Sequence, residues 1–288
     1  MGPPGVRGAG EGPRRRRRLA PVLTGLLVLA VGLELLYVLA PGPPDPPDPP
    51  GPPSPAPGPP ALHLLLGLYQ MLNLLVNAGR FLRSDPGIRG VMLAGRGLGQ
   101  GWEYCYQCQS QVPPRSGHCT SCRVCILRKD HHCLLLGRCV GFRNYRPFLC
   151  LLLHGAAALA HAGALLGPAL AALLRAQTPL RAITLLLMPW LMLLTGSVSP
   201  AQFALAFVTD MCVAGALLCG AGLLFHGALL LRGQTTGEWA RGQRAYDLGP
   251  RGNLRAALGP RWALVWLWPF VRSPLPGDGV VFPASRAR

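Results

Sequence analysis

The sequence predicts an all-α multispanning membrane protein with four transmembrane helices and a small cysteine-rich domain between the second and the third. Half of the 288 residues are hydrophobic and only 14% are charged, against about 25% in an average soluble domain. The mean hydropathy is positive, at +0.31, and the apolar residues form runs long enough to cross a bilayer. Seven of the ten cysteines lie in the segment from Cys105 to Cys139, which falls between the second and third predicted spans.

The charge distribution indicates a bilayer rather than nucleic acid as the partner. The net charge is +17, from 28 basic and 11 acidic residues, and a basic balance of this size is also typical of nucleic-acid-binding proteins. Here the arginines flank apolar runs, which is how membrane proteins mark their cytosolic side. We therefore expect no nucleic-acid partner.

The first predicted span, residues 19–40, follows five arginines at 14–18 and has the roughly 20 apolar residues that a bilayer requires. A cleaved signal peptide has the same basic-then-apolar order and stays an alternative, although no small-x-small cleavage site closes the run. Residues 41–60 are almost entirely proline, glycine and aspartate, without Lys or Arg. This composition predicts a luminal connector in polyproline II or disordered form.

Two more long apolar runs follow the cysteine-rich segment, and a shorter one lies between them at 183–194. If the short run also spanned, the tail would be luminal, yet the tail carries six arginines between 232 and 261. The positive-inside rule therefore makes the short run an interfacial or re-entrant piece. The predicted segments are a basic cytosolic N-terminus at 1–18, spans at 19–40, 61–79, 147–174 and 203–231, luminal segments at 41–60 and 175–202, the cytosolic cysteine-rich domain at 80–146 and a cytosolic tail at 232–288.

The cysteine-rich segment has more candidate metal ligands than two zinc ions need. Two Cys-x-x-Cys pairs begin at Cys105 and Cys119, and such pairs turn two thiolates toward one metal. Reducing cytosolic conditions disfavour disulfides, which supports a metal site. Two tetrahedral zinc ions need eight ligands, and the segment offers ten, so two are left over. The ten are Cys105, Cys108, His118, Cys119, Cys122, Cys125, His131, His132, Cys133 and Cys139.

The surplus pair indicates a nucleophile. Neighbouring residues in extended chain point in opposite directions, so His118 and Cys119 are expected to serve different metals, and one of His131 and His132 is expected to be free. A free histidine beside Cys133, preceded by Asp130, is the set that activates a thiol. A purely structural double zinc site stays an alternative. A RING-type ligase is disfavoured because no further Cys-x-x-Cys pair follows Cys139.

The residues Asp130-His131-His132-Cys133 in this spacing resemble the DHHC family of protein S-acyltransferases. The match continues through Cys139, Val140, Gly141, Asn144 and Phe148 without an insertion. Thr235-Thr236-Gly237-Glu238 after the last span is similar to the Thr-Thr-x-Glu motif of that family, and Asn253 is similar to its C-terminal asparagine. The four-span layout with a cytosolic cysteine-rich loop is also that of the family.

The resemblance implies a role for each of these residues. One structural zinc ion would bind Cys105, Cys108, His118 and Cys125, and the other Cys119, Cys122, His132 and Cys139. Cys133 would be the nucleophile, His131 its base and Asp130 the residue that orients His131, with Thr235, Thr236, Glu238 and Asn253 as supporting residues. Acyl-CoA would be the co-substrate, and membrane-associated proteins with cytosolic cysteines would receive a palmitoyl or similar acyl group. The family also implies an endomembrane location, in the Golgi or the endoplasmic reticulum.

One departure from the family concerns the residues after the nucleophile. The family usually has Pro-Trp there, whereas this chain has Leu134-Leu135, so we expect looser acyl-chain selection rather than loss of chemistry. A weakly active or inactive zinc-stabilised membrane scaffold of the same fold stays the alternative. A transporter, suggested by Glu34, Asp210 and the histidines of the spans, is a second. The basic residues proposed to attract the CoA phosphates are Arg128, Lys129, Arg143 and Arg146, although each could equally be an ordinary flanking charge.

Overall fold

The structure, a computed structural model, describes residues 60–88 and 101–284 together with residue 25. The predicted N-terminal segments at 1–18, 19–40 and 41–60 therefore lie outside the described residues, apart from positions 25 and 60. The helices are α1 Pro60–Arg83, α2 Tyr145–Arg175, α3 Pro179–Leu187, α4 Pro189–Leu194, α5 Pro200–Leu231, α6 Thr236–Ala240 and α7 Pro250–Leu258, with a 3-10 helix at Leu264–Trp266. The strands are β1 Glu103–Cys105, β2 Ser110–Val112, β3 Gly117–Cys119, β4 Val124–Ile126, β5 His132–Cys133 and β6 Arg138–Cys139.

Three helices of the described residues are long and apolar enough to cross a membrane: Ala61–Arg83, Tyr145–Arg175 and Pro200–Leu231. The middle one, α2, packs along α5 on one side and along α1 on the other. The described part of the chain is thus mostly helical, with three candidate spans. The six strands form three separate antiparallel hairpins in the cysteine-rich segment.

The ends of the long helices differ from the predicted bounds for local reasons. Helix α1 continues past residue 79 to Arg83, and Arg80 and Arg83 lie in its last turn, where positive charge complements the helix dipole. Helix α5 begins at Pro200 rather than at 203 because the Ser199 side chain accepts a hydrogen bond from Gln202 N and the Gln202 side chain accepts one from Ser199 N. This capping box satisfies two backbone donors at the start of the helix.

The segment between α2 and α5 forms two short helices. Met188 separates α3 from α4 with φ −140° and ψ 57°, and Pro189 then begins α4. With nine and six residues, each helix is much shorter than the roughly 20 residues of a span. Leu185 and Met192 are buried against the adjoining ends of α2 and α5, so the two helices cover that end of the bundle.

The C-terminal end of α5 is closed by a glycine and a buried asparagine. Gly233 has φ +64°, and Gly233 N and Gln234 N donate to the carbonyls of Leu230 and Leu229, which is the Schellman arrangement. A Cβ at Gly233 would lie 2.6 Å from Asn253 Oδ1, so only glycine fits. Asn253 Nδ2 donates to Leu231 O at 2.9 Å, so α7 is joined directly to the end of α5.

The third hairpin, β5–β6, leads straight into α2. Asn144 is fully buried at this junction; its Nδ2 donates to Cys139 O at 2.9 Å and its Oδ1 accepts from Gly141 N at 2.8 Å. Phe81 of α1 and Tyr145 of α2 form a buried cluster with Val140, and Cys133 packs against that cluster. The hairpin that carries Cys133 is therefore fixed at the ends of α1 and α2.

Candidate active site and metal centres

The first candidate metal centre comprises Cys105, Cys108, His118 and Cys125. The Nδ1 atom of His118 lies 3.7, 3.3 and 3.9 Å from the sulfurs of Cys105, Cys108 and Cys125. The Cys108 and Cys125 sulfurs are 3.6 Å apart. Hairpins β1–β2 and β3–β4 supply all four side chains.

The second candidate metal centre comprises Cys119, Cys122, His132 and Cys139. The Nδ1 atom of His132 lies 3.7, 3.4 and 3.5 Å from the sulfurs of Cys119, Cys122 and Cys139. The Cys122 and Cys139 sulfurs are 3.5 Å apart. This centre joins hairpin β3–β4 to hairpin β5–β6.

Both sets of distances fit tetrahedral zinc. Zn–S bonds of about 2.3 Å and Zn–N bonds of about 2.0–2.1 Å place ligand atoms about 3.5–3.8 Å apart on the edges of a tetrahedron. Burial and the neighbouring sulfurs of Cys105 and Cys108 raise the pKa of the Cys125 thiol. Ionised sulfurs this close together repel one another, and a divalent cation bound between them would stabilise their thiolate forms. Cys3His sets of this kind are typical of structural zinc sites.

The pleat of the strands assigns neighbouring residues to different centres. His118 is paired with Cys125 across β3–β4, and both belong to the first centre, whereas the next residue, Cys119, belongs to the second. In β5–β6, His132 is paired with Cys139, and both belong to the second centre. His131 and Cys133 flank His132 in the chain and belong to neither centre.

Asp130, His131 and Cys133 lie together where β5 meets the helices. His131 Nδ1 is 3.0 Å from Asp130 Oδ1, and the Asp130 side chain is only 1% exposed while that of His131 is 28% exposed. Val140 N donates to His131 O at 2.8 Å, and Asp130 N donates to Val140 O at 3.0 Å. With Asp130 on Nδ1, the other nitrogen, Nε2, is the one left to take a proton from a thiol.

The protonation equilibria of these three groups favour a reactive thiol. Burial raises the pKa of the Cys133 thiol, but its interaction with His131, together with hydrogen bonds from the backbone of Leu135 and Leu136, more than offsets this, so the pKa is lowered. Burial lowers the pKa of His131, yet Asp130 and Cys133 together raise it to about 9. Burial raises the pKa of Asp130, while hydrogen bonds from His131 and Thr236 bring it below its usual value.

The residues after α5 support the site through a second capping box. The Thr235 side chain accepts a hydrogen bond from Glu238 N, and Glu238 Oε2 accepts one from Thr235 N at 2.8 Å. This arrangement fixes the first turn of α6 and directs Thr236 toward the active site. Thr236 Oγ1 donates to Asp130 Oδ1 at 2.5 Å.

A buried ion pair joins the same turn to the cysteine-rich segment. Arg115 Nε and Nη2 each lie 2.6 Å from a carboxylate oxygen of Glu238, and both side chains are 6% exposed. The Arg115 guanidinium also lies over the rings of Tyr246 and Phe282, at 4.3 and 5.0 Å from their centroids. One side chain thus holds the loop before β3, helix α6 and the C-terminal tail together.

The basic residues proposed for CoA phosphates occupy different environments. Arg128 is buried with its guanidinium 4.7 Å from the centroid of the Tyr145 ring, which directs it away from solvent. Lys129 Nζ donates to His118 O at 2.6 Å, and Arg146 donates to the carbonyl of Ser273. Arg143 is exposed and donates to Asp85 O at 3.2 Å.

Leu134 and Leu135, the two residues after Cys133, are 78% and 53% exposed. They form the turn between β5 and β6, and Gly137 N closes the turn by donating to Leu134 O. Their side chains therefore extend from the protein surface directly beside Cys133.

Two residues of this site, His226 and Arg115, were not predicted from the sequence. His226 Nδ1 of α5 lies 3.7 Å from Asp130 Oδ1, and the rings of His226 and His131 are stacked with centroids 4.9 Å apart. A polar side chain near the end of an apolar span marks a functional candidate, so a signal for His226 was present. Arg115 gave no local signal because its partner, Glu238, lies 123 residues further along the chain.

Comparison with known proteins agrees with this geometry. The DHHC palmitoyltransferase family profile matches residues 99–243. The chain is 72% identical to "Probable palmitoyltransferase ZDHHC24" of Homo sapiens over 99% of its length and 97% of that protein. It is 69% identical to the Mus musculus protein of the same name, over 96% and 94% of the two chains. The Danio rerio protein of that name is 45% identical over 78% and 76%. The chain therefore belongs to the DHHC palmitoyltransferase family.

Proposed function

We propose that this protein S-palmitoyltransferase transfers its acyl group through a thioester on Cys133. The observation that carries the proposal is the position of Cys133. It is the one cysteine between 105 and 139 outside both metal centres, and it lies beside the Asp130–His131 pair. A surplus thiol next to an oriented imidazole is the arrangement that nucleophilic catalysis requires.

The reaction follows in two steps. His131 Nε2 takes the thiol proton of Cys133, the thiolate attacks the carbonyl carbon of acyl-CoA, and the bond from that carbon to the CoA sulfur breaks. The departing CoA thiolate takes the proton from His131. A cysteine of the protein substrate then attacks the Cys133 thioester in the same way, with His131 again carrying the proton. Both steps exchange one thioester for another, so thiol activation and exclusion of water are the main catalytic tasks.

The position of Cys133 at the ends of α1 and α2 suits a substrate with an apolar chain and an anionic carrier. Each methylene that is buried contributes about 0.8 kcal/mol, so the acyl chain belongs among the spans below Cys133. The CoA phosphates then remain at the cytosolic surface. Arg143 is the most accessible of the proposed phosphate contacts, while Lys129 and Arg146 are half-buried.

The thioester proposal is tested by mapping the adduct on purified full-length protein. Incubation with a clickable palmitoyl-CoA analogue is expected to label the peptide that contains Cys133, and hydroxylamine is expected to release the label. Cys133→Ser should be unlabelled, with Cys219→Ser as a matched control that keeps the label. Equal labelling of wild-type protein and Cys133→Ser would show that the acyl group is carried elsewhere.

We propose that both metal centres hold structural zinc, since each supplies four protein ligands and leaves no open position. Elemental analysis should give about two zinc ions per chain, and Cys133→Ala should not change that number. Cys119→Ser should lose one zinc and destabilise the cysteine-rich segment, because metal binding contributes to folding. Loss of zinc from Cys133→Ala would mean that Cys133 is a ligand and not the nucleophile.

We propose four spans, with residues 19–40 as the first and with both termini and the 80–146 segment in the cytosol of an endomembrane such as the Golgi or the endoplasmic reticulum. The arginine distribution supports this orientation. In sealed microsomes, protease should remove tags placed at either terminus, and a tag in the 41–60 connector should be protected. Protection of the C-terminal tag alone would indicate an odd number of spans.

The protein substrates in this proposal are membrane-associated proteins with cysteines close to the cytosolic surface. Cys133 is held at the ends of α1 and α2, so a substrate cysteine has to approach at the level where the bilayer meets the cytosol. The exposed leucines at 134 and 135 border that approach.

A further inference from the structure

A second imidazole faces the carboxylate that orients His131. Asp130, His131 and His226 have ligand atoms within 4.8 Å of one another. His226 belongs to α5, nine residues before Thr235, and is separated from Asp130 by 96 residues of chain. The side chain is 9% exposed, so it is enclosed by protein at the point where the last span meets the cysteine-rich segment.

Two polar atoms in this group have no hydrogen-bond partner within the part of the chain that the structure describes. They are His226 Nδ1 and Asp130 Oδ2, and both are buried. An ionised carboxylate can only accept hydrogen bonds, and a neutral imidazole can donate from either nitrogen. A buried donor and a buried acceptor without partners each cost free energy, so the Asp130 carboxylate has an open acceptor and the neighbouring His226 ring has an open nitrogen that can donate.

The distance between the groups is close to a hydrogen bond. His226 Nδ1 is 3.7 Å from Asp130 Oδ1, and a shift of about 0.7 Å would bring it to the usual N–H···O distance. Catalytic hydrogen bonds are often long before substrate binds and shorten in the complex. Asp130 Oδ1 already accepts from His131 and Thr236, whereas Oδ2 of the same carboxylate has no partner. A hydrogen bond from His226 Nδ1 would therefore either be shared at Oδ1 or go to the open lone pairs of Oδ2.

Aromatic packing keeps the two imidazoles in this relation. The His131 and His226 rings are stacked at 4.9 Å with an angle of 26° between their planes. The Phe148 ring meets both of them edge to face, at 5.2 and 5.1 Å. His226 O also accepts a hydrogen bond from Tyr145 at 3.2 Å, so α2 holds both the ring and the backbone of His226.

We propose that His226 is a positioning residue for acyl transfer. It donates a hydrogen bond from Nδ1 to Asp130 and thereby keeps the carboxylate directed at His131 Nδ1. This inference rests on the proposed roles of Asp130, His131 and Cys133. His226 does not contact the reacting atoms, so its effect is on how often the Asp130–His131 pair is correctly aligned, and not on acyl-CoA binding.

Three substitutions at His226 separate a hydrogen bond from simple packing. In His226→Asn the amide nitrogen takes the place of Nδ1, in His226→Gln it takes the place of Nε2, and His226→Phe keeps a ring without a donor. We expect His226→Phe and His226→Gln to lower the maximal rate of Cys133 acylation roughly tenfold to hundredfold, as misalignment of a catalytic group does. His226→Asn should restore most of the rate. The acyl-CoA concentration that gives half-maximal rate should stay the same in all three.

His161 provides the matched control. It is also a histidine between spanning helices, with Nε2 3.0 Å from His63 Nδ1, and it lies about 20 Å along α2 from Phe148. His161→Phe and His161→Asn should not differ in acylation rate. A rate for His226→Phe equal to or above that of His226→Asn would overturn the proposal, because packing alone would then explain the role of this side chain.

Two further measurements distinguish this inference from the proposed function and from a metal site. Cys133→Ser must be unlabelled in the same assay; if it is labelled, the thioester proposal fails, whatever the His226 variants do. Zinc content should be the same in wild-type protein and all three His226 variants. A third zinc equivalent that His226→Phe removes would overturn the positioning role, since the three residues would then be ligands.

Discussion

Replacing Asp130 with asparagine is expected to lower the rate of Cys133 acylation by roughly 10²–10⁴-fold, the range for loss of general-base function or of the carboxylate that orients a catalytic imidazole. Asp130 is buried, and its pKa is below the usual value, so it is ionised at neutral pH. A neutral amide removes the negative charge that stabilises protonated His131. If the asparagine amide is flipped, its NH₂ group donates to His131 Nδ1. The ring proton then stays on His131 Nε2, which cannot accept the proton of the Cys133 thiol.

The expected defect concerns rate and not folding. Asparagine has nearly the same shape as aspartate, and with its amide oxygen at the Oδ1 position it still accepts the hydrogen bond from Thr236, so zinc content and thermal stability should remain close to those of wild-type protein. Single-turnover acylation with palmitoyl-CoA gives the rate. Asp210→Asn is the matched control, since Asp210 lies about 24 Å from His226 along α5 and should react normally. Wild-type rates for Asp130→Asn would show that His131 needs no carboxylate.

Breaking the Arg115–Glu238 pair is expected to destabilise the part of the protein outside the candidate spans by about 3–5 kcal/mol, the cost of leaving one buried charge without its partner. Burial raises the pKa of Glu238, but Arg115 lowers it more, so the net shift is downward and the pair is ionised at neutral pH. Arg115→Met leaves the carboxylate unpaired. The same change also removes the hydrogen bond to Gly233 O at 2.8 Å.

Two changes at Glu238 separate the ion pair from the helix cap. Glu238→Gln loses the charge but can still accept from Thr235 N, because glutamine also serves in a capping box, whereas Glu238→Ala loses both. Thermal unfolding of detergent-purified protein, monitored by tryptophan fluorescence, should show wild-type protein as the most stable, Glu238→Gln as less stable and Glu238→Ala as the least stable. If Arg115→Met unfolds at the wild-type temperature, the pair does not hold the tail against the cysteine-rich segment.

Local sequence patterns predicted those features of the structure that depend on residues only a few positions apart in the chain. Strand alternation predicts that His118 and Cys119 serve different metals, and the structure places them in separate clusters. The hydropathy of the last two predicted spans corresponds to two of the three candidate spans. In both cases a residue and its neighbours within a few positions determine the outcome.

Contacts between distant segments could not be predicted in this way. Arg128 was expected at a phosphate because it is a cation in a basic segment, yet the structure buries it against Tyr145. Arg115 lies in a Pro-Pro-Arg-Ser-Gly stretch typical of an exposed loop, but Glu238 and two aromatic rings enclose it. His226 resembles an ordinary packed histidine until the cysteine-rich segment brings Asp130 beside it. Only the tertiary arrangement supplies these partners.

The turn between β5 and β6 restricts how many residues the segment contains more than it restricts which side chains those residues carry. Cys133 is paired with Arg138, and the adjacent pair is His132 with Cys139, so the proposed nucleophile and a candidate metal centre share one four-residue connection. Adding or deleting one residue in this connection would shift the register of β5 against β6. The His132 side chain would then turn away from the candidate metal centre, and a neighbouring side chain would face that centre instead. Gly137, at φ +62°, supplies the left-handed position that closes the connection. The exposed side chains at 134 and 135 have no such constraint, so this turn tolerates a change of side chain at these two positions more readily than a change in the number of residues.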